Sequence, residues 1–420
     1  MSEVLELSSM CNRSNVQVLN QPQLIYILTE LFPGSSMSRI RLPLNFTLVL
    51  DHSGSMAGKK IRTMKEAVKN IIDQLDPEDI ISIVTFESRT TVLVEAQPVA
   101  NKNELKKKVD RIRDAGGTKM ASGLREGLNQ IRQNHGSERI SKLILLTDGE
   151  ATDKEDDSRH EADQAGEMGI PIIGLGFGKD WNEDFIIDLC DRSVLAEPGS
   201  QTGVVNYIPS PDQAMNIFQE VYQSMQVVAQ DVTINIRMVQ GLEARRIWQV
   251  VPMIKDIGRS VIQGRAVVIP VGELEKGGAA YLAEIMLPPR PEGLVRIAQT
   301  DAAYTLPGGE RQREAVDLIL NFTNDPTSTG QLNGHVMNVV EKVQAFKLQT
   351  QALEEAEMGD VGGATQKLRQ AVTILLAQDE TELADQMQHE ADQLEQSGQI
   401  SSEGKKTIKL TSRKTVKLSD

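Results

Sequence analysis

The sequence predicts an α/β protein with a doubly wound, mostly parallel sheet, a β-sandwich and a C-terminal helical region. Three observations favour this class. Apolar strand-like runs alternate with amphipathic segments between residues 43 and 228, β-branched runs flank that region, and apolar residues at helical spacing follow it. Alternating strands and helices favour a parallel sheet covered by helices, and a chain of 420 residues is long enough for two or three domains.

The central region, residues 43–228, repeats a strand-then-helix pattern. In its first helical segment Ile61, Met64 and Val68 recur at intervals of three and four residues, as an apolar helix face requires. Asp76-Pro77 ends that segment, because proline cannot continue a helix. Strands are predicted near 46–51, 80–86, 91–95, 142–147, 171–176 and 203–208, and helices near 59–75, 102–113, 119–134, 157–168, 182–191 and 211–228.

Segments rich in β-branched residues flank the central region. Residues 1–42 contain two such runs, and residues 229–308 contain several more, separated by Pro and Gly. This pattern predicts a β-sandwich for residues 229–308. The N-terminal segment joins that sandwich if the central domain, 43–228, is an insertion. Separate β extensions are the alternative.

Residues 309–398 are predicted to be helical, with a first element that contains the apolar residues of 315–319. The turn 359–363 separates two amphipathic stretches, which suits an antiparallel helical pair. The pair resembles a tetratricopeptide-style hairpin, and simple packing against the sandwich is the alternative. A last helix is predicted over 380–396.

The composition disfavours several classes of protein. A net charge of −14 disfavours general nucleic-acid binding, and no apolar run is long enough to predict a membrane span. The N-terminus lacks the basic and apolar regions of a signal peptide, so a cytoplasmic location is expected. Cys11 and Cys190 are then expected to be free thiols.

The most informative stretch is Asp51-His52-Ser53-Gly54-Ser55, which follows an apolar strand-like run. A carboxylate and two hydroxyls therefore lie on a tight loop at the carboxyl end of a strand, where open α/β sheets bind ligands. Oxygen-only ligands suit Mg²⁺, Ca²⁺ or Mn²⁺. For this stretch alone an ordinary turn is the alternative. Since imidazole is an unusual ligand for such a cation, His52 is interpreted as an exposed side chain.

Two later segments offer further oxygen ligands. Gly116-Gly117-Thr118 supplies a hydroxyl, and a second apolar run ends in Thr147-Asp148-Gly149. With these residues, the region 43–227 resembles the von Willebrand factor type A family, whose metal-ion-dependent adhesion site has the pattern Asp-x-Ser-x-Ser, then Thr, then Asp. The resemblance implies five metal ligands, namely Asp51, Ser53, Ser55, Thr118 and Asp148.

The ligand set suggests how the site is used. Two carboxylates and three hydroxyls bring little negative charge, and Mg²⁺ accepts an acidic group from elsewhere. The resemblance implies that a Glu or Asp of a partner protein completes the coordination. The predicted function is therefore a non-enzymatic adaptor that binds its partner through Mg²⁺, with Ca²⁺ or Mn²⁺ as alternatives. A cation kept only for stability, or lost, is the other interpretation of the motif.

A second function class comes from the resemblance alone. Some intracellular members work beside ATPases of the chelatase and MoxR type, so a subunit that assists a separate AAA+ ATPase is the alternative. An enzyme is not expected, because the five histidines are scattered and the sequence has no His-Glu-x-x-His, phosphate-loop or Gly-x-Ser-x-Gly pattern. The charge run 153–157 is interpreted as a solvated loop.

Residues 399–420 are predicted to form a disordered basic tail. A pattern of two cations, Thr, a β-branched residue, Lys and Leu begins at Lys405 and again at Arg413. Basophilic Ser/Thr kinases often prefer cations before Thr, and the Leu at +3 looks like what forkhead-associated domains read beside phosphothreonine. The hypothesis is a docking tail switched by phosphorylation of Thr407 and Thr415, bound by a forkhead-associated-domain protein. A solubilising or self-docking arm is the alternative.

Overall fold

The computed structural model describes residues 4–34, 42–136, 138–194 and 203–413. The chain divides into two compact units, Met1–Arg39 with Val228–Asp420, and Ile40–Val227. The described strands are β1 (Leu5–Cys11), β2 (Asn15–Gln17), β3 (Gln23–Pro33), β4 (Leu44–Asp51), β5 (Ile80–Phe86), β6 (Thr90–Pro98), β7 (Ile140–Thr147), β8 (Ile172–Phe177), β9 (Val204–Ile208), β10 (Val227–Met238), β11 (Glu243–Val251), β12 (Lys255–Gly258), β13 (Ile262–Gln263), β14 (Ala266–Glu275), β15 (Ala279–Leu287), β16 (Gly293–Thr305) and β17 (Arg311–Thr323). The described helices are α1 (Lys59–Gln74), α2 (Lys102–Val109), α3 (Met120–Arg132), α4 (Glu155–Glu167), α5 (Glu183–Arg192), α6 (Pro211–Ser224), α7 (Pro326–Thr329), α8 (Gly334–Glu357), α9 (Val361–Ala377), α10 (Thr381–Ser397) and α11 (Ser402–Lys406).

The unit Ile40–Val227 is a doubly wound α/β sheet, which confirms the predicted fold class. Its strand order is β6-β5-β4-β7-β8-β9, and all neighbours are parallel except β5 and β6. Every strand and helix predicted for this region is present, with ends shifted by a few residues. Because the chain leaves β4 towards β5 on one side and returns to β7 on the other, the carboxyl end of β4 is a topological switch point.

Helices cover both faces of this sheet. On one face, α1 and α6 pack over β4 through a shared apolar core that includes Phe46, Met64 and Phe218. On the other face, α3 lies so close to β4 that a Cβ on Gly127 would be 2.6 Å from Val49 Cγ2. The two layers bury every residue of β4, so the strand places its last residue, Asp51, at a fixed point.

The other unit contains a sandwich of two sheets around one apolar core. One sheet has the order β1-β3-β15-β11-β12 and the other β13-β14-β10-β16-β17-β2. Strand β3 pairs antiparallel with β15, and β2 pairs parallel with β17. Strands from before residue 34 therefore lie in both sheets, and the chain between β3 and β10 interrupts the sandwich in sequence.

Residues 311–323 form strand β17, so the helical element predicted over 315–319 is wrong. β17 pairs antiparallel with β16 along its length. Its apolar side chains alternate between faces, since Leu318, Leu320 and Phe322 are buried whereas Ile319 is exposed. This is a period of two, which is typical of a strand with one buried face. The sandwich consequently continues to Thr323, and the helices begin at α7.

The helices beyond α7 form two layers. α8 covers the outer face of the first sheet, where Val336, Val343 and Phe346 belong to one core with Trp248 and Leu282. α9 and α10 share a second core with α8. None of the helices in the described part of the chain combines the length and apolar character that a membrane span requires.

Residues 401–413 are ordered against these helices, which contradicts the prediction of a disordered tail for this stretch. α11 continues into a π-helical turn, Thr407–Thr411, and Ile408 is buried in the core of α8, α9 and α10. The carboxylate of Glu390 accepts hydrogen bonds from Ser401 N at 2.9 Å and Ser401 Oγ at 2.6 Å. The apolar positions of the first basic repeat thus have a surface to bury against. The second repeat, with Thr415, lies outside the described residues except for Arg413.

Both cysteines are free thiols and are buried, as expected for the thiol state. Burial raises the pKa of the Cys11 thiol to about 11 and raises the pKa of the Cys190 thiol further. Since the thiolate is the nucleophile, neither cysteine is poised for chemistry.

Candidate metal centre

Asp51 is the last residue of β4, and its carboxylate is buried and held from two sides. Oδ1 accepts a hydrogen bond from Ser53 N at 2.8 Å, and Oδ2 accepts one from Thr147 Oγ1 at 2.8 Å. Thr147 ends the neighbouring strand β7. The loop after β4 therefore folds back over its own carboxylate, and the adjacent strand fixes the second oxygen.

The two serines of the loop connect this carboxylate to a second one. Ser53 Oγ lies 3.0 Å from Ser55 Oγ, and Ser55 Oγ donates to Asp148 Oδ1 at 2.7 Å. Asp148 follows β7 and is fully buried. Because β4 and β7 are neighbouring parallel strands, their carboxyl ends meet at the same edge of the sheet. The structure thus brings four of the five predicted ligands together.

Thr118, the fifth predicted ligand, lies in an adjoining loop. Gly54 N donates to Gly116 O at 3.3 Å, which joins this loop to the loop that carries Ser53 and Ser55. Gly116 has a φ of +59°, and a side chain there would collide with Glu87. Thr118 is buried, its N donates to Thr152 Oγ1 at 3.1 Å, and its O accepts from Thr152 N at 2.8 Å. Among the described hydrogen bonds, its hydroxyl is not linked to the other four ligands.

Asp153 is a contributor that the sequence analysis missed. Its carboxylate accepts hydrogen bonds from Met120 N at 3.3 Å and Ala121 N at 2.9 Å, the first backbone amides of α3. Asp153 therefore holds the start of α3 next to the loop that carries Thr118, so its assignment to a solvated loop is wrong. A cap supplied by a distant loop leaves no local spacing signal, because the usual cap comes from the residue just before the helix.

We predict that Asp153→Ala lowers the free energy of unfolding by about 1 kcal/mol, the usual cost of losing a helix cap. It should also weaken cation binding, because α3 begins two residues after Thr118. Thermal unfolding and Mn²⁺ titration would measure the two effects. Asp157→Ala, an exposed change in the first turn of α4, is the control. Equal behaviour of the two variants would contradict the role of Asp153 in holding the start of α3.

The electrostatics of the cluster favour a cation. Burial raises the pKa of Asp51, and the charge of Asp148 adds to the rise, against hydrogen bonds from Ser53 and Thr147 that lower it. The ammonium of Lys60 lies 2.6 Å from Asp148 Oδ2 and balances part of this negative charge. The two buried carboxylates and the neighbouring hydroxyls form an oxygen-only donor set that fits a hard divalent cation.

Hydroxyl oxygens are necessary to any cation site of this kind. The described residues contain no cluster of three or more His, Cys, Asp or Glu side chains suited to a metal. His52 is half-buried rather than exposed, and its Nδ1 lies 2.7 Å from Arg113 O. The imidazole of His52 is thus directed to the α2–α3 connection and not to the carboxylates.

Comparison with known families matches two regions. Residues 45–207 match the model of the von Willebrand factor type A domain, and residues 334–418 match the model described as Sll0103-like, C-terminal alpha-helical domain. The uncharacterized protein sll0103 of Synechocystis sp. is 34% identical over 186 residues, which are 44% of this chain and 42% of that protein. Inter-alpha-trypsin inhibitor heavy chain H3 of Rattus norvegicus is 36% identical over 162 residues, 35% of this chain and 18% of that protein.

The chain thus spans less than half the length of these two relatives. A solved structure, the von Willebrand factor type A protein from Catenulispora acidiphila, superposes on 99% of this chain and 98% of its own with a TM-score of 0.72. The sequences are 18% identical. This likeness shows a common fold for the sheet, sandwich and helices together.

Proposed function

Residues 45–207 form a von Willebrand factor type A domain, and from this premise we propose that the chain is a non-enzymatic adaptor that binds a partner protein through a divalent cation. One observation carries the proposal. Asp51 and Asp148 are fully buried carboxylates at a switch point of the sheet, linked through the backbone amide of Ser53 and the hydroxyls of Ser53 and Ser55. Burying two carboxylates side by side is costly unless a positive charge offsets them.

Asp51, Ser53, Ser55, Thr118 and Asp148 would hold the cation, which we propose to be Mg²⁺, with Ca²⁺ or Mn²⁺ as the other hard cations that suit oxygen ligands. When bound, the cation supplies a positive charge that attracts an Asp or Glu carboxylate of the partner. The two aspartates neutralise the charge of a divalent cation and the three hydroxyls add none, so the ammonium of Lys60 leaves one positive charge in excess at the occupied centre. A carboxylate from outside is therefore an electrostatically suitable further ligand.

Affinity purification from the native host tests this function. The full chain is used as bait with Mg²⁺ or with EDTA, and the captured proteins are identified by mass spectrometry. We expect a partner that is retained with Mg²⁺, lost with EDTA, and lost again when one of its own surface Asp or Glu residues is changed to Asn or Gln. A partner retained equally in EDTA would contradict the cation bridge. A Mg²⁺-dependent AAA+ ATPase would favour the alternative function.

We propose that the C-terminal segment regulates partner binding through phosphorylation of Thr407 and Thr415 by a Ser/Thr kinase. Support comes from the repeated basic pattern and from the docked position of the first copy. Thr407 is buried, so a kinase reaches it only after the segment leaves the helices. The phosphorylated tail would then suit a forkhead-associated-domain protein. Intact-mass analysis of protein from its native host checks this, and a tail that is never modified contradicts it.

A further inference from the structure

Lys60 extends from the first turn of α1 to the candidate metal centre. Its Nζ lies 2.6 Å from Asp148 Oδ2, and the Asp148 side chain is fully buried whereas Lys60 keeps 26% of its side chain exposed. The other carboxylate oxygen accepts from Ser55. Both oxygens of Asp148 therefore have partners that a cation must displace or share.

The position of this lysine is specific. The neighbouring Lys59 pairs with Asp212 at 2.7 Å, and both of those side chains are largely exposed. The end of the Lys60 side chain is bordered by the loop after β8, where a Cβ on Gly178 would be 3.5 Å from Nζ. Of these two adjacent lysines, Lys59 forms an exposed ion pair at the surface, and Lys60 forms an ion pair with the buried carboxylate of Asp148.

A fixed ammonium at this place opposes a divalent cation. If Lys60 stays, two positive charges lie near the same carboxylate and repel each other. If Lys60 swings out through its exposed side, the buried carboxylate loses its ion pair. Both routes weaken cation binding in the absence of a further negative charge.

We propose that Lys60 is a tethered counter-ion that keeps the affinity of the centre for a free cation low, so that the cation and the partner's carboxylate bind together. The inference rests on the proposed function and adds its regulation. The incoming carboxylate supplies the negative charge that Lys60 otherwise offsets. Because binding free energies are coupled reciprocally, the carboxylate then raises cation affinity by the factor by which the cation raises carboxylate affinity.

Calorimetric titration of the full chain with Mn²⁺ and with Mg²⁺ tests the inference. Lys60→Gln removes the charge and keeps a donor for Asp148, and Lys59→Gln is the matched control on the same turn. We expect Lys60→Gln to bind the cation about tenfold more tightly or better, because one nearby like charge is removed, and Lys59→Gln to match the wild type. Lys60→Arg keeps the positive charge, so its cation affinity should be as low as that of the wild type.

The coupling has its own measurement. Acetate is used as the probe carboxylate, and it should raise the cation affinity of the wild type more than that of Lys60→Gln. If Lys60→Gln is too unstable without cation to be titrated, the rise in Tm that the cation causes is measured instead. This rise should be larger for Lys60→Gln than for Lys59→Gln.

Three results are distinguishable. Tighter binding by Lys60→Gln alone supports the tethered counter-ion. Equal affinities in the wild type, Lys59→Gln and Lys60→Gln overturn it and leave the metal centre intact. No cation binding in any variant overturns the proposed function itself.

Discussion

Asp51→Asn is expected to abolish cation binding at the candidate centre while the metal-free domain stays folded. The substitution removes one of two anionic ligands, and even residues that only support a metal ligand change affinity by about 10–100-fold, so we expect a loss of about 100-fold or more. The amide can keep the local hydrogen bonds, since its oxygen can accept from Ser53 N and its nitrogen can donate to Thr147 Oγ1. Mn²⁺ titration and the cation-induced shift in Tm measure the loss.

The pH dependence of stability gives a second readout for Asp51→Asn. Burial raises the pKa of Asp51 in the folded, metal-free chain. The folded state therefore holds this proton more tightly than the unfolded state does. The stability that the proton contributes is complete below the ordinary aspartate pKa of about 3.9 and is lost as pH rises through the raised folded value. Asn has no such proton, so the wild type should lose stability relative to the variant across that range.

Asp212→Asn is the matched control for this experiment. Asp212 is exposed and pairs with Lys59 at the surface, where a single ion pair contributes little. Its cation binding and its pH profile should follow the wild type. If Asp51→Asn followed the wild type in both measurements, Asp51 would be neither a cation ligand nor a strained buried charge.

The side chains gathered at the centre could be predicted because strand ends converge. Asp51 and Asp148 each end a run of apolar residues, and parallel neighbouring strands bring such ends together whatever the details of packing. Lys60, Thr147 and Asp153 were not predicted. Each acts through the direction of a side chain in three dimensions, across a helix, a neighbouring strand or another loop, and no local spacing encodes that direction.

The strands of the central sheet could be predicted from the sequence, whereas one strand of the sandwich could not. The central strands could be predicted because each is a short, largely apolar run and all except β5 are followed by an amphipathic helix. β17 was misread because Ala315, Val316, Leu318 and Ile319 also fit helical spacing, and the pairing with β16 decides between the two. Register between distant strands, such as β2 with β17, is a tertiary property that residue pattern alone leaves open.

The C-terminal segment was misread for a different reason. Six cations without an acidic residue between 405 and 418 favour disorder. The first copy nevertheless docks, because the carboxylate of Glu390 on α10 accepts two hydrogen bonds from Ser401 and Ile408 packs into the apolar core of the helices. A Cβ on Gly404 would lie 2.2 Å from the Glu390 carboxyl carbon, so the glycine permits this close approach.

Ile408→Asp is therefore expected to release residues 401–413 from the helices. The change places an unpaired carboxylate in an apolar core, which typically costs about 3–5 kcal/mol and exceeds what one short segment gains by docking. Trypsin should then cut at the lysines of the segment, which are protected in the wild type. The amide of Ile254, which donates to Arg413 O at 2.7 Å, should exchange its hydrogen faster.

Leu376→Asp is the control for this variant, because it makes the same chemical change at an exposed position of α9. Its proteolysis and its exchange at Ile254 should match those of the wild type. If Ile408→Asp gave the same pattern as Leu376→Asp, the docked position of Ile408 would not hold the segment. If the segment is released, Thr407 becomes accessible in the variant, and a basophilic kinase should phosphorylate it there much faster than in the wild type, where the segment must first leave the helices. Docking of the first repeat and phosphorylation of Thr407 would then exclude each other, as a switch requires.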